Sequence, residues 1–154
     1  MIRTRLLFAL SMWVLLGSCA PIDFEYADGA AGRYADWRGH WVFINYWAEW
    51  CAPCRYEIPQ LNSLSKELAA GGALVVGVNF DGVDGDALRK LMQRMGIEFP
   101  VATKDPRTRF GYPMPSVLPT TIVIDPKGAI AATLVGPQTQ QSLQAVMGVS
   151  VGPT

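Results

Sequence analysis

Apolar and polar positions follow two different periods along this chain, and the change of period marks where one element gives way to the next. Trp41-Val42-Phe43-Ile44-Asn45-Tyr46-Trp47 is a β-branched and aromatic run with one polar position, the pattern of a buried strand. Residues 52–70 carry Ile58, Leu61, Leu64, Ser65 and Leu68 at helical spacing, and Gly71-Gly72 ends that helix. Residues 73–80 (ALVVGVNF) predict a second buried strand. Residues 84–95 predict an amphipathic helix, with Leu88, Leu91, Met92 and Met95 on one side and Gly96 as its stop. A short edge strand at 99–102, a helical turn at 105–110 and a proline-rich loop follow. The chain then predicts a strand at 120–124, a turn over Asp125-Pro126-Lys127-Gly128, a partner strand at 129–135 and a closing helix at 139–147. This order, β-α-β-α-β with a hairpin and a last helix, predicts an α/β fold whose sheet carries helices on both faces. Residues 21–37 show no period and are expected to be a tether and irregular lead-in.

The first residues follow another logic. Arg3 and Arg5 precede an uncharged apolar run of eleven residues, Leu6 to Leu16. A bilayer-spanning helix needs about 20 apolar residues, so this pattern predicts a secretory signal instead. Leu16-Gly17-Ser18-Cys19 resembles the bacterial lipobox, which implies cleavage before Cys19 and lipidation of that cysteine. Lipid chains would hold the protein at a membrane surface without a spanning helix. The expected organisation is a signal peptide at 1–18, a lipidated N-terminus and tether at 19–37, and one domain at 38–154.

Composition narrows the remaining classes. The 154 residues are 50% hydrophobic, and 13 basic residues balance 13 acidic ones, which argues against a disordered chain and against nucleic-acid binding. One histidine and three cysteines cannot build two structural zinc sites, and are too few for a disulfide scaffold. Cysteine use is therefore selective, which directs attention to Trp50-Cys51-Ala52-Pro53-Cys54. This segment lies directly after a buried strand and at the start of a helix, where free N–H groups and the helix dipole stabilise an anion. A thiolate at Cys51 would have a lowered pKa and be nucleophilic. The two-residue spacing lets Cys54 approach the same sulfur one turn on. A Cys51–Cys54 disulfide can then open by attack on Cys51 and close by attack from Cys54.

Residues 43–54 (FINYWAEWCAPC) resemble the active-site segment of the thioredoxin superfamily. Glu57-Ile58-Pro59 and Leu118-Pro119-Thr120-Thr121-Ile122-Val123-Ile124-Asp125 narrow the resemblance to TlpA/ResA-type extracytoplasmic thiol-disulfide oxidoreductases. It implies a thioredoxin-like fold with a central mixed sheet. Cys51 is then the exposed nucleophile and Cys54 the buried resolving thiol. Pro119 is the cis-proline facing the disulfide, with the backbone of Leu118 pairing to a substrate strand and Trp50 beside it. Pro59 kinks the active-site helix. Asn45 stands where thioredoxin has a buried aspartate, and Glu57 is the carboxylate expected to exchange a proton with Cys54 and to have a raised pKa. The loop 111–117 (GYPMPSV) departs from the family in length and proline content and is expected to shape the substrate groove.

Plainer readings stand beside these. Cys51 and Cys54 could be half a metal site or an inert disulfide, yet no cysteine besides Cys19 and only His40 could complete a site, and so small a loop gains little closure entropy. Glu57 could be a solvated helix residue. Trp47 and Trp50 fit packing, and Asp81, Asp84 and Asp86 fit helix capping better than a calcium loop. The expected activity is reduction of protein disulfides by a dithiol without a further cofactor or metal, since no histidine between the cysteines stabilises the thiolate of an oxidant. Expected partners are oxidised extracytoplasmic proteins, such as those of cytochrome c maturation, and a membrane thiol carrier of the DsbD/CcdA type. A monomer is expected. The alternatives are an oxidising or peroxide-reducing protein and a non-catalytic peptide-binding module.

Overall fold

A computed structural model describes residues 21–68 and 72–148. The basic and apolar leader, Cys19, and the last expected helical residues with Gly71 lie outside the described residues. The chain runs β1 (Phe24–Glu25), β2 (Ala31–Gly32), a 3-10 turn (Tyr34–Trp37), β3 (Trp41–Trp47), α1 (Ala52–Leu68) and β4 (Ala73–Asn79). It continues through α2 (Gly85–Met95), β5 (Val101–Ala102), α3 (Arg107–Phe110), β6 (Thr120–Ile124), β7 (Ile130–Val135) and α4 (Gln140–Val146). Five strands form one mixed sheet in the order β5-β4-β3-β6-β7. β3 is central because it pairs parallel to β4 and antiparallel to β6, and six of its seven residues are buried. An apolar run without alternation is what a strand covered on both faces requires.

The two connections β3-α1-β4 and β4-α2-β5 step in one direction across the sheet, so right-handed crossovers put α1 and α2 on the same face. The first core cluster confirms this: Ile58, Leu61 and Leu64 of α1 meet Leu88, Leu91 and Met95 of α2, with Leu143 of α4, over Phe43, Trp47, Val75 and Val123. Gly77 admits this packing, because a Cβ there would sit 2.9 Å from both the Phe99 and Val101 side chains. Gly96 takes a left-handed conformation (φ 69°) and ends α2, while Thr139 caps α4 with a reciprocal Ser142 contact. Helices therefore lie on both faces, but unequally. The second face holds the 3-10 turn and α3 over Val42, Ile44, Tyr46, Val76, Ile122 and Ile124.

The lead-in expected to be an irregular tether is instead folded onto this second face. Phe24, Ala27 and Trp37 are buried. Phe24 packs edge-on to Tyr26 and Trp37, and the Trp37 ring stacks on Phe110. Backbone bonds from Ala27 N to Val101 O and from Thr103 N to Glu25 O attach the hairpin to β5. The cause is aromatic area: the second face has only short helical segments, so the rings of residues 24–37 cover it. Gly32 is fitted to the Phe24 ring, which a Cβ would approach to 2.3 Å. No helix among the described residues is long and apolar enough to cross a membrane.

Candidate active site

β3 ends at Trp47, a tight loop follows, and α1 begins at Ala52. Cys51 thus immediately precedes the helix, the position where a side-chain acceptor meets free N–H groups. Its sulfur accepts from Cys54 N–H at 3.2 Å, and Cys51 and Cys54 form a disulfide with Cα atoms 5.4 Å apart. Pro53 sits in the first helical turn, where its missing N–H costs no hydrogen bond. Pro59 lies inside α1, and the helix continues through it to Leu68.

Cys51 was expected to be exposed, and in this disulfide state it is not: its accessibility is 3%, against 1% for Cys54. The physical reason lies in what surrounds it. Its sulfur is held between the Cys54 sulfur and the Cys54 N–H, and both cysteines belong to the first core cluster. Trp50 is the exposed neighbour at 65%. Its indole N–H points at both oxygens of Asp81, 3.2 Å from each, and its ring meets Phe80 edge-on. Asp81, expected to serve helix capping, instead anchors this tryptophan. Of the three aspartates only Asp84 occupies the cap position of α2, and its side chain makes no cap bond; Asp86 pairs with Arg89.

Glu57 lies one turn beyond Cys54 and is 1% exposed. The solvated reading is therefore excluded. Asn45 Nδ2 donates to Glu57 Oε2 at 3.1 Å and to Thr121 Oγ1 at 3.0 Å, and Gln138 N donates to Glu57 Oε1 at 3.2 Å. Burial pushes the Glu57 carboxyl up to about 7, and the hydrogen bonds from Asn45, Gln138 and Thr121 hold it from rising further. A carboxyl with that value is half-protonated near neutral pH and can take or give a proton without large cost. The family resemblance pointed to Glu57 and Asn45 but not to Thr121 or Gln138. Thr121 joins them because β6 pairs with β3 in a register that sets it against Asn45.

The Leu118–Pro119 peptide bond is cis. Pro119 is buried. Leu118 is half-buried and packs against both core clusters, touching the one that holds the cysteines. The structure thus brings Cys51, Cys54 and Glu57 onto one end of α1, with Trp50 at its rim and Leu118 at its cluster. His40 is partly covered at the far end of β3 and takes no part.

Known proteins are similar to this chain in sequence and fold. The AhpC/TSA family matches residues 16–133. The thiol-disulfide oxidoreductase ResA of Geobacillus kaustophilus is 32% identical over 133 residues, which covers 85% of this chain and 75% of that protein. A thioredoxin-family thiol:disulfide interchange protein from Chlorobium tepidum superposes with a TM-score of 0.69 at 29% identity, covering 80% of this chain and 88% of its own. A secreted thiol-disulfide isomerase from Corynebacterium glutamicum superposes with a TM-score of 0.67 at 27% identity, covering 82% and 81%. Fold, cysteine pair and relatives agree, and the chain belongs to the AhpC/TSA family as a thioredoxin-like, ResA-type thiol-disulfide oxidoreductase.

Proposed function

We propose that this oxidoreductase is a protein-disulfide reductase working outside the cytoplasm, held to the envelope membrane by lipid on Cys19. The observation that carries the reading is the Cys51–Cys54 pair at the head of α1 with a buried, readily protonated Glu57 one turn below. In the reduced enzyme the Cys51 thiolate attacks one sulfur of a substrate disulfide. A mixed disulfide forms, and the other substrate sulfur leaves as a thiolate that takes a proton from solvent. Cys54 then passes its proton to Glu57 and attacks the Cys51 sulfur. The second substrate sulfur departs as a thiolate and takes up a proton while Glu57 releases the one it accepted, so two electrons and two protons have reached the substrate. No cofactor beyond the dithiol and no metal is needed for these steps.

Trp50, Leu118 and Pro119 receive the substrate in this reading, with the Leu118 backbone pairing to its extended chain. The substrates are oxidised extracytoplasmic proteins, such as those of cytochrome c maturation, and a membrane thiol carrier of the DsbD/CcdA type returns the electrons to a monomeric enzyme. The basic and apolar leader with its lipobox-like end supports the location, as does the likeness to a secreted isomerase.

Insulin reduction by dithiothreitol tests the activity. Catalytic amounts of the protein should accelerate chain precipitation, and no acceleration would refute the reductase reading. In the reduced protein, iodoacetamide at pH 6–7 should label Cys51 well before Cys54, because the helix start favours its thiolate; preferential labelling of Cys54 would reverse the two roles. Cys19→Ser tests the anchor. In cells it should leave the protein unlipidated and absent from the mature membrane form, while the purified variant reduces insulin at the wild-type rate.

A further inference from the structure

A cavity of about 210 Å³ lies on the opposite face of the sheet from Glu57, between the 112–117 loop and the β6-β7 hairpin. Pro113, Met114, Pro115, Val117, Ile122 and Val135 supply most of its wall, and no charged side chain lines it. Its one phenol, Tyr112, already shares a hydrogen bond with the Tyr46 hydroxyl at 3.0 Å. Val117 and Val135 stand at 53% and 61% exposure, so two large apolar side chains sit in water at this place. A dry cavity of about 150 Å³ accommodates benzene, so this one has room for a leucine or phenylalanine side chain. Met114 adds a wall that adjusts to the shape of its occupant.

The cavity is continuous with the substrate-contact segment. Its lining runs from Tyr112 to Val117 and resumes at Thr120, directly flanking Leu118–Pro119. Leu118 itself touches both the cysteine-bearing cluster and the cluster that contains Tyr112 and Met114. A polypeptide whose disulfide meets Cys51 and whose backbone follows Leu118 therefore passes the mouth of the cavity.

We infer that this cavity is a specificity subsite that takes an uncharged, apolar side chain of the substrate protein, close in sequence to its reacting cysteine. The inference rests on the reductase reading and adds the kind of substrate it prefers. Oxidised probe peptides test it: each carries one disulfide and a single leucine, or serine in its place, at about three positions on either side of the cysteine, the reach of a short extended segment. At one position leucine should raise kcat/KM about tenfold, the scale of burying one aliphatic side chain. Val135→Asp puts a charge at the mouth and Thr133→Trp fills the space. Both sites are exposed on β7, so the fold tolerates them. Each variant should erase the leucine preference while Ellman's reagent, which needs no subsite, is reduced at the unchanged rate. Equal reduction of every peptide by the wild type, or a preference that survives both variants, overturns the subsite alone. Reduction of Ellman's reagent and of no peptide overturns the reductase reading, and the subsite with it.

Discussion

Cys51→Ser is expected to abolish disulfide reduction, with turnover falling at least about 10³-fold, because no other thiol among the described residues can begin the exchange. Cys54→Ser should behave differently. Cys51 keeps its place before α1 and still attacks, but nothing resolves the product, so a mixed disulfide with the substrate accumulates. Non-reducing gels of the Cys54→Ser protein with an oxidised substrate should show the conjugate, and the Cys51→Ser protein should show none. A conjugate formed by Cys51→Ser and not by Cys54→Ser would exchange the two roles. Stability gives a second readout. The bridge closes a loop of only a few residues, which in the chain-entropy account contributes about 2 kcal/mol. The oxidised wild type should therefore unfold at slightly higher denaturant than either variant.

The elements that proved legible in the sequence are those whose burial is set by their own residues. β3, β4 and β6 are apolar runs that any sheet would cover, and α2 announces itself by its spacing and its stop at Gly96. Cys51 and Cys54 could be read because only two residues separate them at the start of one helix, and Glu57 because a family resemblance points to the position one turn further along it. What escaped depends on a partner elsewhere in the chain. Phe24 and Trp37 sit in a stretch rich in small and charged residues with no period, and only the thinly covered second face gives them something to bury against. Asp81 looks like any loop aspartate until Trp50 reaches it across thirty-one positions of sequence. Thr121 becomes part of the Glu57 site only through the register of β3 and β6. The near-complete burial of Cys51 was invisible for the same reason, since the walls of its cluster come from several elements.

Glu57→Gln should separate proton transfer from structure, and its pH dependence has a definite sign. The Glu57 carboxyl titrates near 7 in the folded protein and near 4.5 when unfolded. Between those values the folded state holds a proton that the unfolded chain has released, so folding stability falls as pH rises through this window. Below it both states are protonated and the group contributes no pH dependence. Above it the full cost of a buried carboxylate is present, about 3 kcal/mol for a shift of this size. Glutamine carries no charge and removes that slope. Its amide must face a donor, so Asn45, which now donates to Glu57 Oε2, has to turn its side chain over and present its oxygen. That adjustment takes back part of the gain. The variant should accordingly be more stable than the wild type at pH 8 by about 1–3 kcal/mol and no more stable at pH 4, measured by urea unfolding at both values. Catalysis should move the opposite way. Without a carboxyl to accept the Cys54 proton, resolution should slow by about 10²-fold, at the lower end for general acid–base help because solvent can replace part of the route. The limb of the pH–rate profile near 7 should disappear with it. A variant that keeps the wild-type stability slope and the wild-type pH–rate profile would show that the proton on Cys54 leaves by another path.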